Sequence, residues 1–215
     1  MSLTWLDPID AQPLEEGVMA QGQAHPMRTV THAAAAEVGA WSGDTPRQVR
    51  ATFDRLAGEW HTRHSADKLD ALGDAIVRGG LLPSHGTWLE LGAGDGWASA
   101  YLAVRAPRVV AMDLSMQMLL HSPADGVDRV QADADALPLA DHAITVAVLM
   151  NMLLFPTELD RVLAPGGRLV WVSSRGPATP IYLAPEQVIA ALPGRWGGTA
   201  GRHGTATWAV LRRLG

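Results

Sequence analysis

One stretch limits what this chain can fold into: Thr87-Trp-Leu-Glu-Leu-Gly-Ala-Gly-Asp-Gly-Trp97. It opens with the apolar residues of a buried strand, Trp88, Leu89 and Leu91. It continues through Gly92, Gly94 and Gly96 and resumes as a helical pattern from Trp97 through Ala98, Tyr101 and Leu102. A strand that ends in a glycine run and feeds a helix leaves backbone N–H groups near the turn. With no side chains in the way, a ligand can approach the main chain. Such a turn belongs at the carboxyl edge of an α/β sheet and suits a nucleotide. Twenty-one residues beyond Gly92, a second apolar run ends in an acid, Val109-Val-Ala-Met-Asp113. A carboxylate at the end of the neighbouring strand can accept both hydroxyls of a ribose. The pair predicts ribose recognition.

The glycine spacing decides which nucleotide. A nicotinamide or flavin site needs G-x-G-x-x-G, and its third glycine would fall at 97, which is Trp97. The register therefore disfavours a nicotinamide-dependent reductase. The pattern present is E-x-G-x-G-x-G, with Glu90 inside the strand end. It resembles the first motif of the class I S-adenosylmethionine-dependent methyltransferases of the small-molecule type. Further segments follow in the family's order. Asp113-Leu-Ser115 is similar to its second acid, Ala132-Asp-Ala-Asp-Ala-Leu-Pro-Leu-Ala-Asp141 to its "gDaeaLPFpD" segment, and Leu159-Asp-Arg-Val-Leu-Ala-Pro-Gly-Gly-Arg-Leu-Val170 to its "RVLkPGG" crossover. A glycine loop alone is a weak signal; four ordered motifs over 87–172 are a strong one.

The resemblance implies S-adenosyl-L-methionine as cofactor, held by Glu90, Gly92, Ala93, Gly94, Gly96, Asp113, Leu114, Asp133, Ala134 and Met150. Asp133 would meet the adenine amino group and the Ala134 N–H a ring nitrogen. Phe53-Asp-Arg-Leu-Ala-Gly-Glu-Trp60 resembles an upstream "yDxxAxxYd" segment, which would set Trp60 near the methionine part of the cofactor. Trp60 also fits an apolar helix face with Val49, Phe53 and Leu56, so a packing role stands equally open. Asn151, Met152 and Phe155 would line the acceptor side. His64, His61 and His121 are candidate bases that the sequence does not rank, and solvent-facing structural roles suit them as well. Two positions depart from the family pattern: an acid early in the fourth strand is Thr145 here, and a frequent histidine is Leu154. The crossover after Asn151 is also short, about two turns over 156–163. These departures keep open an S-adenosylmethionine-fold protein that is an accessory or catalyses no methyl transfer.

Strands alternating with helices predict a Rossmann-like, doubly wound and mostly parallel sheet. Seven strands are expected, ending in an antiparallel hairpin of Trp196–Gly201 with Thr205–Arg213. Residues 1–44 read as an arm and possible cover for the cofactor. Gly17 and Gly22 interrupt its helical patterns, and only Thr31–Trp41 has helical composition. Residues 45–215 read as one domain: N-terminal helices over 45–80, the cofactor-binding core over 87–172, and a last helix and hairpin over 173–215.

Composition narrows the partners. A net charge of −5 with no basic stripe argues against nucleic acid. The absence of cysteine removes disulfides and thiolate metal sites, and the His61/His64 spacing lacks a third ligand, so no metal is expected. No apolar run of membrane-spanning length and no basic, apolar leader occur, so a cytoplasmic protein acting on a small molecule is expected.

Overall fold

The apolar stretch ahead of the glycines becomes the strand from which the sheet extends both ways. In a computed structural model describing residues 2–37, 41–82, 85–123 and 125–214, the strands are β1 (Ser2–Trp5), β2 (Thr87–Leu91), β3 (Arg108–Asp113), β4 (Asp128–Gln131), β5 (Ile144–Met150), β6 (Leu163–Ser173), β7 (Trp196–His203) and β8 (Ala206–Arg213). The helices are α1 (Glu16–Ala24), α2 (Met27–Ala35), α3 (Thr45–Leu56), α4 (Ala66–Arg78), α5 (Trp97–Ala103), α6 (Met116–Leu120), α7 (Pro156–Val162) and α8 (Pro185–Ala191). They interleave with one sheet of order β1-β7-β8-β6-β5-β2-β3-β4. The pairings from β6 through β5, β2 and β3 to β4 are parallel, and β8 runs antiparallel to both β6 and β7.

Both faces are covered, so the central strands are apolar without alternation. On one face Leu72, Ile76 and Leu102 from α4 and α5 pack against Trp88, Val148 and Trp208. On the other, Leu159, Val162, Val188 and Ile189 from α7 and α8, with Ala34 and Ala35 from α2, pack against Leu89, Leu149 and Trp171. Asp74 of α4 is a buried acid that accepts from the Trp208 indole N–H at 2.7 Å and pairs with Arg78. Through it α4 is fixed across β8.

The sheet holds the seven strands the sequence predicts and one more. β1 adds parallel to the edge of β7, with Ser2 to Trp5 beside Gly197 to Ala200. The glycines admit it: a Cβ at Gly197 would lie 2.8 Å from the Ser2 carbonyl oxygen. The first helix of the arm is also a departure, because α1 contains both Gly17 and Gly22. Gly22 lets α1 meet the loop after β6; a Cβ there would sit 2.2 Å from the Ala178 carbonyl oxygen. The Arg28 guanidinium clamps the contact, donating to the carbonyls of Gly22, Pro177 and Thr179 at 3.3, 2.7 and 2.9 Å. Close packing thus overrides the poor helix propensity of glycine. The expected helix over 31–41 begins earlier, at Met27, and its described part ends at Ala35; residues 38–40 lie outside the described ones.

Gly22→Ala is expected to undock α1 at a cost of about 1–3 kcal/mol of overpacking. Limited proteolysis should cut the variant faster than wild type within Glu16–Ala24; equal rates would remove that contact from its assigned role.

Candidate functional site

The site forms where β2 and β3 end side by side. Leu91 pairs with Met112 in the ladder, which brings the glycine turn against Asp113. Gly92, Gly94 and Gly96 all take positive φ, 70°, 56° and 75°, a backbone that side chains disfavour. The turn is stitched to β3. The N–H groups of Gly92 and Ala93 both donate to the Met112 carbonyl, at 2.9 and 3.0 Å. The Gly94 N–H donates to Asp113 Oδ2 at 2.8 Å, and the Ser115 N–H to Asp113 Oδ1 at 2.8 Å. The Gly96 N–H returns to the Ala93 carbonyl. These four amides of the turn therefore have internal partners, and carboxylates carry the site's accepting capacity.

Glu90 is buried and Asp113 half-buried. Burial pushes Asp113 above its ordinary range, opposed by the N–H groups of Ser115 and Gly94. Glu90, 2% exposed, is pushed up to about 8 by burial, with the charges of Asp113 and Asp95 adding and its hydrogen bond from the Ser99 hydroxyl opposing. Ser115 also caps α6, its Oγ accepting from the Met118 N–H at 3.1 Å. The same hydroxyl donates to Asp54 of α3 at 2.6 Å, so the helix above the site is anchored beside Asp113.

Trp60 lies on a 3-10 segment, Ala57–Arg63, into which α3 tightens. Its indole covers the turn: a Cβ at Gly94 would lie 3.2 Å from Trp60 Nε1. Phe53 meets it edge-on at 5.5 Å between ring centroids. Met152 covers the other half, with its sulfur 2.5 Å from where a Gly92 Cβ would be. Asp133, in the loop after β4, accepts from the Trp41 indole N–H at 2.8 Å and from the Asp135 N–H at 3.1 Å. Trp41 in turn packs edge-on against the buried Phe155, at 5.3 Å. No reading of the residues singled out Trp41 for this contact. Its signal, one tryptophan in a polar, glycine-punctuated stretch, does not name a partner 92 residues away.

The remaining predicted residues divide by location. Ala93 and Ala134 are buried beside the turn and the β4 loop, and Met150 is half-buried at the end of β5. The Leu114 carbonyl accepts from the Gln131 amide at 3.0 Å. Asn151, at a positive φ of 54°, clasps β6: its carbonyl accepts from the Ser174 N–H and its amide donates to Ser174 Oγ, both at 2.9 Å. Of the histidines, His64 alone touches the turn, with Nε2 2.9 Å from Asp95 Oδ1 and its ring stacked on Trp97 at 4.5 Å. His61 is exposed, and His121 bonds the Gln117 carbonyl on the exposed side of α6. Thr145 stands at the opposite end of β5, donating to the carbonyls of His85 and Thr87. Leu154 is fully buried.

Residues 89–171 match the model of the "Methyltransferase domain" family. A demethylmenaquinone methyltransferase of Mycolicibacterium vanbaalenii is 31% identical over 160 residues, covering 69% of this chain and 70% of that protein. The chain belongs to the class I S-adenosylmethionine-dependent methyltransferases. A second demethylmenaquinone methyltransferase, from Clavibacter sepedonicus, is 33% identical over 63% of this chain and 62% of its own. The chain thus spans less than two thirds of that relative's length. Among solved structures, the complex of DhpI with SAH superposes with a TM-score of 0.61 at 20% identity, covering 80% of this chain and 98% of that one, a likeness of fold. The residues present fit the family's cofactor. Its ribose hydroxyls and ammonium are donors, and the site offers the Asp113 and Glu90 carboxyls. The bends at Gly92 and Gly94 carry no Cβ, and the Met152 and Trp60 side chains lie over them.

Glu90 gives this chain a testable pH signature. Its carboxyl binds a proton in the native state from its ordinary 4.5 up to about 8, where the unfolded chain has released it. Stability therefore falls as pH rises through that window, by at most about 1.4 kcal/mol per pH unit. Glu90→Gln is expected to flatten the slope between pH 5 and 8 in urea denaturation. An unchanged slope would show that another group titrates.

Proposed function

We propose that this protein transfers a methyl group from S-adenosyl-L-methionine to a small-molecule acceptor with an oxygen, nitrogen or carbon nucleophile. The observation that carries the reading is Asp113, whose half-buried carboxylate is fixed by the Gly94 and Ser115 N–H groups at the end of β3. It stands where a ribose would be held, beside a turn that admits a nucleoside. When bound, the cofactor supplies an electrophilic methyl on a sulfonium whose leaving group is neutral. The protein's task is then mainly alignment.

In this reading Asp113 holds the ribose and Glu90 faces the methionine end, where an ammonium would favour its ionised form. Asp133 meets the adenine once the Trp41 indole gives up its hydrogen bond. Met150 faces the cofactor and Asn151 and Met152 the acceptor, while Phe155, expected beside them, is buried against Trp41. His64 is tied to Asp95 and stacked on Trp97, an arrangement that positions the turn. No protein nucleophile is required. A base serves only if the acceptor must lose a proton. The relatives named as demethylmenaquinone methyltransferases support a small organic acceptor, and the acidic chain does not favour nucleic acid.

A second reading has one observation in its favour. Trp41 on Asp133 and Met152 over Gly92 let the chain's own side chains cover the groove. An S-adenosylmethionine-fold protein without methyl transfer would look the same. Calorimetric titration with S-adenosylmethionine, its demethylated product and NADH, followed by transfer of labelled methyl to an acceptor panel, separates the readings. Cofactor binding with turnover supports the first; binding without turnover on any acceptor supports the second; selective NADH binding overturns both. Asp113→Asn is expected to weaken binding of the demethylated product by about 1–3 kcal/mol, roughly 5- to 150-fold. Wild-type affinity in that variant would take ribose binding away from Asp113.

A further inference from the structure

The chain is acidic overall, yet α4 and the end of β6 each bring a cation, the half-buried Lys68 and the exposed Arg175, toward the carboxyl edge of the sheet. The course of α4 brings them together. Near its C-terminal end Gly79 abuts Val210, and Asp74, within the helix, accepts from Trp208. In the sheet these two β8 residues lie opposite Val170 and Val172 of β6. Going from Gly79 to Asp74 thus advances along β6 toward its carboxyl end. Lys68 lies six residues further along the helix, roughly 9 Å at 1.5 Å per residue. That distance corresponds to about three residues of strand at about 3.3 Å each, which reaches Arg175, directly after β6.

The surroundings of each cation are specific. The Lys68 ammonium donates to the Arg63 carbonyl, at the end of the segment that carries Trp60 over Gly94. Arg63 itself is engaged, bonding Glu59 at 3.2 Å and lying 5.0 Å over the Trp60 ring. Arg175 is held by its main chain: its N–H donates to Thr179 Oγ1 and its carbonyl accepts from the Ala178 N–H, both at 3.0 Å. The neighbouring Ser174 is clasped by Asn151, so the Arg175 backbone is fixed against the end of β5. Among the described residues neither Lys68 nor Arg175 forms an ion pair; Asp95 is taken by His64 and Glu59 by Arg63. Burial lowers the Lys68 pKa, Arg175 and Arg63 lower it further, and Asp67 alone opposes them. Like charges brought together are a cost that Asp67 offsets only in part and that a bound anion relieves, through charge-assisted hydrogen bonds.

We propose that Lys68 and Arg175 form an anion subsite for the methyl acceptor, so the substrate carries a carboxylate or phosphate beside its nucleophilic atom. The inference rests on the methyl-transfer reading. Arg175 gives a planar, two-pronged donor on a fixed backbone, and Lys68 a point charge on a flexible stem. The anion pins one end of the acceptor between α4 and β6, leaving its nucleophile toward Met150 and Asn151.

The test uses the full chain saturated with the demethylated cofactor, at constant ionic strength. Benzoate, phenyl phosphate and neutral benzamide are titrated by calorimetry. At least one anion is expected to bind about tenfold or more tightly than benzamide, and benzoate against phenyl phosphate tells carboxylate from phosphate. Lys68→Gln and Arg175→Gln should each reduce the preference and together abolish it. Affinity for the demethylated cofactor should stay within about twofold, which also reports that each variant is folded. Equal binding of anion and benzamide, no binding of either, or a preference that survives both substitutions overturns the subsite. If the wild-type chain fails to bind the demethylated cofactor, the cofactor reading and the subsite both fall. Intact cofactor binding without anion preference removes the subsite alone.

Discussion

The carboxylate of Asp113 is the tie on which the site depends. It takes one N–H from the glycine turn and one from the start of the next loop. Two parallel strands and the two connections that follow them are thereby locked into one rigid edge. The contact requires a turn that leaves its N–H pointing sideways, and three alternate positive-φ glycines produce it. Burial pushes the Asp113 carboxyl up, and the two backbone donors oppose that shift. Glu90, one strand over, lacks such backbone donors and is pushed up to about 8. Both acids of the site are thus pushed up by burial, and main-chain donors oppose the shift at Asp113.

Above this rigid edge lies a cover whose attachments are mostly side-chain contacts. Ser115 to Asp54 ties α3 down next to Asp113, Trp60 lies on Gly94, and the Trp41 indole reaches Asp133. At its far side the Glu37 carboxylate accepts from the Thr157 N–H and hydroxyl at the start of α7, at 2.8 and 2.7 Å. The contrast between floor and cover has a physical basis. The floor is held by backbone ladders and a fully buried core, while α3 carries no fully buried side chain. Elements with few buried contacts open at lower free energy than the core they rest on.

The floor was largely legible in the residues. The strand ending at Leu91, the glycine turn, the strand ending at Asp113 and the short crossover helix all lie where local patterning places them. Period, turn chemistry and capping agree there. The arm was less legible. Gly17 and Gly22 argue against a helix by propensity, and a helix forms because Gly22 is needed for contact with Ala178. β1 likewise forms because a glycine-bearing edge of β7 admits it, a fact held in residues almost 200 positions away.

The sequence by itself determined the parallel α/β edge, the glycine turn and the paired acid, because these depend on neighbours within a strand, a turn and the next strand. It also carried the family, through motifs whose order and spacing are local. Only the tertiary structure decided that the Asp113 carboxylate is taken up by Gly94 and Ser115, that Trp41 rests on Asp133, and that Asp74 of α4 meets Trp208 of β8. Each of these is a meeting of side chain or backbone across different elements. Its energy depends on distance and burial in the folded chain, which no spacing along the sequence encodes.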